Sequence, residues 1–195
     1  MLKLPKFFDE QQREAILSEP WNDPIPDYED TRHRNYVMMR LIINAGFRSA
    51  ELLALNWSQV TWKGKDRGAV WIRNGKGGRD RRVYLGDVDL ALLKEHCKQW
   101  GIKRGALFLS IDGTRLGYKS LYKLVTRYSK RADLPFLCTP HTLRHTFATD
   151  CYRSEQDLLL VARCLGHASV QTTEIYTHMV DERKSEAMRR LGDSR

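Results

Sequence analysis

Residues 139–149 read T-P-H-T-L-R-H-T-F-A-T, and this stretch predicts the helix around which the fold is built. Thr139 is a favourable N-cap and Pro140 a favourable first helical residue, so a helix is expected to begin here. Three side chains then share one face, at i, i+3 and i+4: His141, Arg144 and His145. Another face is expected to be buried: Leu143, Phe147 and Cys151. Such a helix suits an anionic ligand.

A second motif, L-G-H-A-S-V-Q-T-T-E-I-Y-T-H, occupies residues 165–178 and adds His167 and Tyr176. Ser169 is placed to cap a helix that carries Tyr176 about two turns in. The segment between the two motifs predicts a very apolar helix over 154–165. A last, charged helix is expected over 181–191.

Charge is distributed unevenly along the chain. The net charge is +9, yet residues 1–31 contain three basic and eight acidic side chains. A basic body behind an acidic leading segment is typical of a protein that binds a polyanion such as nucleic acid. A soluble basic protein with solvated charged faces would have the same composition, so charge alone does not decide between the two.

Length and composition favour one globular domain in the cytoplasm. The chain has 195 residues, enough for a substantial core, and no run approaches eighteen apolar residues. The first ten residues become acidic too early for a signal peptide. Four cysteines occur without a C-x-x-C pair, so we expect reduced thiols.

The upstream half predicts two helices and a functional junction. Asp9 and Gln12 form a capping-box pattern for a helix that ends near Ser18, and residues 19–30 should be a loop. A largely buried helix is expected over 34–45. The motif G-F-R-S-A-E-L-L-A-L follows at residues 46–55, where Ser49 can cap a third helix and leave Arg48 free to reach a ligand.

Residues 58–85 have strand character. Short β-type runs at 60–62, 69–73 and 82–85 predict a three-stranded antiparallel sheet. The glycine-rich sequence N-G-K-G-G-R-D at residues 74–80 predicts a flexible hairpin with Lys76 at its tip. An ordinary surface turn with a solvated lysine explains the same residues, and these residues alone favour it.

Two more helices are expected between the sheet and the first motif. The first covers 88–100, with Asp87 as its N-cap rather than as a metal ligand beside Asp89. The second, over 118–131, is amphipathic and basic on its outer face. Those lysines and arginines either contact phosphates or are simply solvated.

No metal centre is predicted. The spacing H-x-x-R-H has Thr142 where a zinc protease needs a glutamate, and no carboxylate cluster suited to two Mg²⁺ ions is visible. Fixed cations would then have to stabilise any phosphoryl transition state, a role that guanidinium groups suit because they stay charged. The same positive charge would ease ionisation of a tyrosine hydroxyl, whose ordinary pKa is about 10.

Four motifs in order resemble the tyrosine recombinases of the phage-integrase family, near its Xer-like and integron-integrase branch. They are those at 46–55, 139–149 and 165–178, together with G-K-G-G-R-D-R-R-V-Y-L at 75–85. The resemblance spans about Phe7 to Leu191. It implies a mainly helical catalytic domain with a small antiparallel sheet on one edge, which acts without metal, cofactor or ATP.

The resemblance also implies a role for each matching residue. Arg48 and Arg144 would clamp the scissile phosphate, and His167 would hydrogen-bond it. Glu51 would support the first arginine, and His145 would lie behind the second.

Three further residues would carry out the chemistry. Tyr176 would attack and form a 3′-phosphotyrosyl link, His141 would take part in proton transfer from it, and Lys76 would protonate the leaving 5′-hydroxyl. Additional contacts to double-stranded DNA are expected from five basic side chains: Arg79, Arg81, Lys119, Lys123 and Arg127.

The implied activity is site-specific recombination of DNA. Two alternatives stay open: a type IB topoisomerase-like nicking and closing enzyme, and a non-catalytic DNA-binding regulator. Residues 1–195 are expected to form the catalytic domain, without the helical core-binding domain that usually precedes it. The segment after Tyr176 is expected to dock through Met188 and Leu191 on a neighbouring protomer of a synaptic tetramer.

Overall fold

The computed structural model describes residues 6–24, 29–73, 80–167, 173 and 189. Within those residues the chain forms seven α-helices and one two-stranded sheet. The helices are α1 (Glu10–Asn22), α2 (Glu29–Ala45), α3 (Ser49–Ala54), α4 (Asp87–Gln99), α5 (Tyr118–Arg131), α6 (Pro140–Glu155) and α7 (Leu158–Leu165). The strands are β1 (Ala69–Ile72) and β2 (Arg81–Tyr84), and a short 3₁₀ helix covers Trp57–Gln59. The expectation of a mainly helical fold is confirmed.

Helix α2 is the centre of the core. It packs against α1, α4 and α6, and apolar side chains cover most of the circumference of its second half. Six of them are at most 2% exposed: Val37, Met38, Met39, Leu41, Ile42 and Ile43. A helix that is apolar on most sides must be surrounded by other elements, which explains its central position.

The capping box at Asp9 is confirmed, but the end predicted for α1 near Ser18 is wrong. The Gln12 N–H donates to Asp9 Oδ1 at 2.8 Å, and the helix continues through Pro20 to Asn22. Contacts with α5 hold this extra turn, because Arg131 Nε donates to Glu19 Oε2 at 2.6 Å. The loop predicted over 19–30 is correspondingly shorter, since α2 also begins before residue 34.

The expected third strand is wrong. Strands β1 and β2 pair antiparallel with Val70 opposite Val83, whereas the 60–62 segment contributes a single bridge between Val60 and Val70. The cause is a tight turn: the Thr61 N–H donates to the Ala69 carbonyl at 2.8 Å, and the Gly68 N–H donates to the Thr61 carbonyl at 2.8 Å. The chain therefore reverses before a longer ladder can form.

The helix start at Thr139 and Pro140 is confirmed, whereas the apolar helix does not begin at residue 154. Helix α6 extends to Glu155, and Gln156 then adopts a left-handed conformation with φ +56°. Asp157 caps α7, accepting hydrogen bonds from the backbone N–H groups of Leu159 and Leu160 at 2.8 and 3.0 Å. Asp157 is an effective N-cap because its carboxylate accepts from the first backbone N–H groups of α7. Ser154 cannot cap α7, because it lies within α6.

Two other predicted caps are displaced by one residue. Arg48 rather than Ser49 is the N-cap of α3, and Gly86 rather than Asp87 is the N-cap of α4. Asp87 is the first residue of α4, where it pairs with Arg67. The predicted helices around Tyr176 and over 181–191 lie outside the described residues. Among the residues that the structure does describe, no helix has the length and apolarity that a bilayer crossing requires.

Candidate active site

Arg144 lies at the junction of three elements. It projects from α6, is 8% exposed, and donates through Nη2 to the Leu165 carbonyl at 2.6 Å and through Nη1 to the Gly46 carbonyl. Both carbonyls lie at the ends of helices, Leu165 closing α7 and Gly46 following α2, where carbonyl groups lack a helical donor. The arginine therefore joins the ends of two helices while remaining charged.

Arg48 also binds the C-terminal end of α7, next to Arg144. Its Nη2 donates to the Gly166 carbonyl at 2.7 Å, and its Nη1 donates to Glu51 Oε1 at 2.8 Å. The second carboxylate oxygen of Glu51 accepts from the Arg48 backbone N–H at 2.8 Å. Two guanidinium groups that are distant in sequence thus bind consecutive carbonyls, those of Leu165 and Gly166, at the end of α7.

Glycine is favoured at position 166 for two reasons. Its φ of +62° lies in the left-handed region that closes a helix most easily with glycine. A β-carbon here would also lie 2.7 Å from Cδ of Arg81, closer than such atoms approach. The glycine therefore lets α7 end against the arginine side chain.

Arg81 forms a two-point ion pair with Glu51. Its Nη1 and Nη2 donate to Oε1 and Oε2 at 2.5 and 2.7 Å. Burial alone would raise the pKa of Glu51, but the hydrogen bonds from Arg81 and from the Arg48 backbone outweigh it and lower that pKa to about 2. The carboxylate is therefore ionised at neutral pH and is shared by two arginines.

Two histidines beside the arginines are neutral at pH 7. Burial, followed by the positive charges of Arg144 and Arg48, lowers the pKa of His167 to about 4. Burial likewise lowers the pKa of His145 to about 4, assisted by His141 and Arg144. His167 Nδ1 lies 3.0 Å from the Thr173 hydroxyl oxygen.

The expected site residues divide into three groups. Arg48, Arg144, His167, Glu51 and His145 converge around the end of α7, and His141 is exposed on the first turn of α6. Lys76, Arg79 and Tyr176 lie outside the described residues.

The basic residues expected to contact DNA have different surroundings. Lys119 and Lys123 are exposed on α5. Arg127 is exposed too, but it pairs with Asp23. Arg81 differs from the expectation, since its side chain is mostly covered and is directed to Glu51 because strand alternation turns it inward.

Sequence reasoning missed the link between Arg81 and Glu51, although a signal for it existed. Residues two apart on a strand face the same side, so Arg81 shares the inward face of β2 with buried Val83. Thr173, the neighbour of His167, was also missed, and no pattern in the sequence marks it.

The cluster can hold a tetrahedral anion. Arg48, Arg81 and Arg144 bring three positive charges, Glu51 returns one negative charge, and His167 adds a polar N–H group. Charged donors in a partly buried setting bind phosphate oxygens strongly. In the ranges 6–24, 29–73 and 80–167, no three His, Cys, Asp or Glu side chains gather closely enough to hold a metal ion.

Comparison with known proteins gives consistent matches. Residues 6–183 match the sequence model of the phage integrase family. The tyrosine recombinase XerD of Ralstonia nicotianae is 35% identical over 193 residues, which cover 93% of this chain and 58% of that protein. The chain thus spans little more than half the length of this curated relative.

Solved structures of recombinases share the fold. The site-specific recombinase XerH, bound to a palindromic difH substrate in a post-cleavage complex, is 35% identical with a TM-score of 0.77. The match covers 95% of this chain and 53% of that one. The XerA recombinase is 27% identical with a TM-score of 0.79, over 98% and 66% of the two chains.

Proposed function

The chain belongs to the phage integrase family, and from this premise we propose that it is a site-specific DNA recombinase that cuts and rejoins strands through Tyr176. The proposal includes double-stranded DNA as substrate and residues 1–195 as a catalytic domain. The chain covers little more than half the length of the relatives that it matches, so it offers less surface to DNA than they do. We therefore expect the isolated chain to bind DNA weakly.

One observation carries the proposal: Arg48, Arg144 and His167 meet at the end of α7. These residues come from three separate segments, and they share a location because both guanidinium groups bind carbonyls of residues 165–166. A guanidinium has five N–H donors in a fixed fork. This fork matches the non-bridging oxygens of a scissile phosphate in both geometry and charge.

Electrostatics then favour attack by a tyrosine. The transition state of phosphoryl transfer spreads negative charge over the equatorial oxygens, and fixed guanidinium groups stabilise that charge without reorganising. In the proposed mechanism the same charges stabilise the phenolate form of Tyr176. Neutral His167 can accept a hydrogen bond from Thr173 at Nδ1 and donate one to the phosphate from Nε2.

The covalent steps balance without an external energy source. The Tyr176 oxygen forms a bond to phosphorus while its proton passes to His141, and the bond from phosphorus to the 5′-oxygen breaks as Lys76 supplies a proton to that oxygen. The strand is left as a 3′-phosphotyrosyl ester. Attack by a 5′-hydroxyl of another strand reverses these steps, so the ester conserves the bond energy.

Assembly is the remaining part of the proposal. Exchange between two sites requires several protomers, and we assign their contact to the segment after Tyr176, with Met188 and Leu191 docking on a neighbour. Truncation after Val180 should therefore leave DNA cleavage intact and abolish the synaptic complex. A truncated chain that still forms the synaptic complex would contradict the role assigned to this segment.

A plasmid assay tests the function itself. A randomised duplex library is passed over the immobilised chain, and a retained sequence is cloned twice into one supercoiled plasmid. We expect deletion or inversion of the intervening DNA, lost in Tyr176→Phe. Relaxation without exchange between sites would instead indicate a type IB topoisomerase-like activity, and binding with neither product would indicate a DNA-binding regulator.

A further inference from the structure

A cavity of about 490 Å³ is lined by residues of α2, of α5 and of the segment that precedes α5. Four of the lining side chains are cationic: Arg32, Arg34, Lys123 and Arg127. Arg34 lies twelve residues before Gly46, whose carbonyl holds Arg144. At 1.5 Å per residue this separation is roughly 18 Å along α2. The cavity is therefore separate from the candidate active site.

Arg34 is the most buried of these cations, and its partners are neutral. It is 6% exposed. Its Nε and Nη2 donate to Asn35 Oδ1 at 3.2 and 2.9 Å, and its Nη1 donates to the Leu109 carbonyl at 2.7 Å. Its guanidinium also lies 5.2 Å from the centre of the Trp100 ring. A buried charge without a counter-ion is unfavourable, so an anion beside Arg34 would stabilise it.

The other cations leave the cavity positively charged. Arg32 donates through Nη2 to the Asp23 carbonyl at 2.9 Å, while its Nε is buried without a hydrogen-bond partner. Among the described residues that line the cavity, Asp23 is the single carboxylate, and it pairs with Arg127. Four positive charges against one negative charge leave a net charge of +3 on the lining.

Apolar side chains complete the lining. Leu116, Leu124 and Tyr128 are each at most 8% exposed, and Ile111 is exposed beside them. The volume lies within the range of small-molecule sites, roughly 300–1,000 Å³, and exceeds what a bare phosphate ion would fill. The cavity thus suits a ligand that has both an anionic group and an apolar body.

We propose that this cavity binds a phosphate monoester of a small organic molecule. Such a phosphate carries a charge of about −1.5 to −2 at pH 7, which matches the cationic lining better than a single carboxylate does. Guanidinium groups bind phosphate oxygens strongly. The organic part would cover Leu116, Leu124 and Tyr128. A recessed guanidinium such as that of Arg34 favours a small ligand over duplex DNA, whose phosphates lie on a broad outer surface.

The first measurement is a ¹H–¹⁵N NMR titration of the full chain with phenyl phosphate. The amides of Ser120 and Leu124 report on the cavity, whereas the amide of Gly166 reports on the arginine cluster at the end of α7. We expect saturable shifts at Ser120 and Leu124 with a Kd of about 1 mM or lower. Inorganic phosphate should bind about tenfold more weakly, because it lacks the apolar body, and phenol should not saturate.

Two results of this titration would overturn the proposal. One is the absence of saturation by phenyl phosphate at Ser120 and Leu124. The other is binding of phenol as tight as that of phenyl phosphate, since the cations would then have no part in recognition. Neither result depends on DNA cleavage, so failure of this proposal is distinct from failure of the proposed function.

Three charge-removing variants locate the ligand. Arg32→Gln and Lys123→Gln each remove one positive charge from the lining, and Lys130→Gln removes one from an exposed position of α5 outside it. We expect the Kd for phenyl phosphate to rise about tenfold in Arg32→Gln and about threefold in Lys123→Gln, with no change in Lys130→Gln. An unchanged Kd in both Arg32→Gln and Lys123→Gln would overturn the proposal.

A duplex competitor separates a free phosphate monoester from DNA phosphate. Lys123 and Arg127 were also expected to contact DNA, so competition decides between the two sources. We expect a duplex to leave the phenyl phosphate shifts at Ser120 and Leu124 in place. Displacement of phenyl phosphate by the duplex would overturn the assignment to a small ligand and would make the cavity part of a DNA interface.

Discussion

Arg81 donates a hydrogen bond from each terminal nitrogen to the carboxylate of Glu51, from Nη1 to Oε1 at 2.5 Å and from Nη2 to Oε2 at 2.7 Å. The same carboxylate accepts hydrogen bonds from the backbone and the side chain of Arg48. One buried negative charge thus orients two guanidinium groups beside the end of α7. Charge-assisted hydrogen bonds of this kind contribute about 1.5–3 kcal/mol each. Glu51 is therefore the group on which the placement of Arg48 depends.

The first prediction concerns Glu51→Gln, which keeps the shape of the side chain and removes its charge. Arg48 loses a fixed partner, so less of its charge is directed at the phosphate in the transition state. We expect DNA cleavage to fall by about tenfold to a hundredfold, equivalent to a loss of about 1.5–3 kcal/mol. Binding of DNA should not weaken, because a negative charge near the phosphate has been removed.

Single-turnover cleavage and filter binding, done where both proteins are fully folded, measure these effects. Glu14→Gln is the matched control, because Glu14 is exposed on α1 and the charge change is identical. Cleavage as fast in Glu51→Gln as in Glu14→Gln would contradict a role for Glu51 in positioning Arg48.

The second prediction is a change of stability with pH. The pKa of Glu51 is about 2 in the folded chain against an ordinary value of 4.5, so the unfolded chain binds more protons between these values. The stabilisation is complete above pH 4.5 and is lost as pH falls toward 2. Between pH 6 and pH 3.5 the wild type should lose about 1–2 kcal/mol more free energy of unfolding than Glu51→Gln.

Urea unfolding at the two pH values checks this prediction. His145 and His167 also destabilise the fold as pH falls from 6.5 toward 4, because burial lowers their pKa values. Both proteins contain these histidines, so their effect cancels when the loss of unfolding free energy between the two pH values is compared between wild type and Glu51→Gln. Equal losses in wild type and variant would mean that the ion pair does not stabilise the folded state.

The third prediction is that DNA raises the pKa of His167. Without DNA that pKa is about 4, lowered by burial and by Arg144 and Arg48. A phosphate among these groups adds negative charge and favours the imidazolium, so the pKa should rise by at least one unit. NMR titration of the imidazole protons in Tyr176→Phe, with and without duplex DNA, follows this change.

His96 is the control for that titration. Its pKa is also lowered to about 4 by burial, and its ring is fully buried against Phe108. DNA should leave it unchanged. An unchanged pKa of His167 on saturation with DNA would indicate that no phosphate reaches this histidine.

The fourth prediction separates backbone strain from crowding at two glycines. Gly46 and Gly64 both have positive φ, +66° and +86°, but a β-carbon at Gly46 would overlap the Phe147 ring, whereas one at Gly64 meets no atom within 4 Å. Gly64→Ala should cost about 1–2 kcal/mol from backbone strain alone. Gly46→Ala should cost a further 1–3 kcal/mol, roughly, from overpacking.

Chemical denaturation of both variants measures the difference. Gly46→Ala should also slow cleavage in the folded protein, since the Gly46 carbonyl holds Arg144. Equal destabilisation by the two substitutions would show that Phe147 moves aside without cost.

The sequence was sufficient to predict features that depend on neighbouring residues. Thr139 and Pro140 specify the start of α6, and the apolar spacing of α5 specified its bounds at Tyr118–Arg131. It was insufficient where a distant contact decides the outcome. The last turn of α1 depends on the contact between Glu19 and Arg131, which no local pattern contains.

The site shows the same division. The motif residues Arg48 and Arg144 were recognisable from the sequence, but their backbone acceptors were not, because every residue carries a carbonyl. Arg81 was expected among the DNA contacts, whereas its side chain is directed to Glu51. Its pairing with Glu51 depends on how β2 packs beside α3, and only strand alternation hinted at it.

The central claim is that this cluster of charge lets Tyr176 take over a DNA phosphate, and covalent capture tests it most directly. Nicked duplexes carrying the retained sequence are incubated with wild type, Tyr176→Phe and Tyr84→Phe, and adducts that resist denaturation are digested for mass spectrometry. Tyr84 is 63% exposed and serves as the matched control. We predict an adduct on Tyr176 in wild type and Tyr84→Phe and none in Tyr176→Phe. An adduct that persists in Tyr176→Phe, or DNA that is bound but never captured by wild type, would contradict the claim.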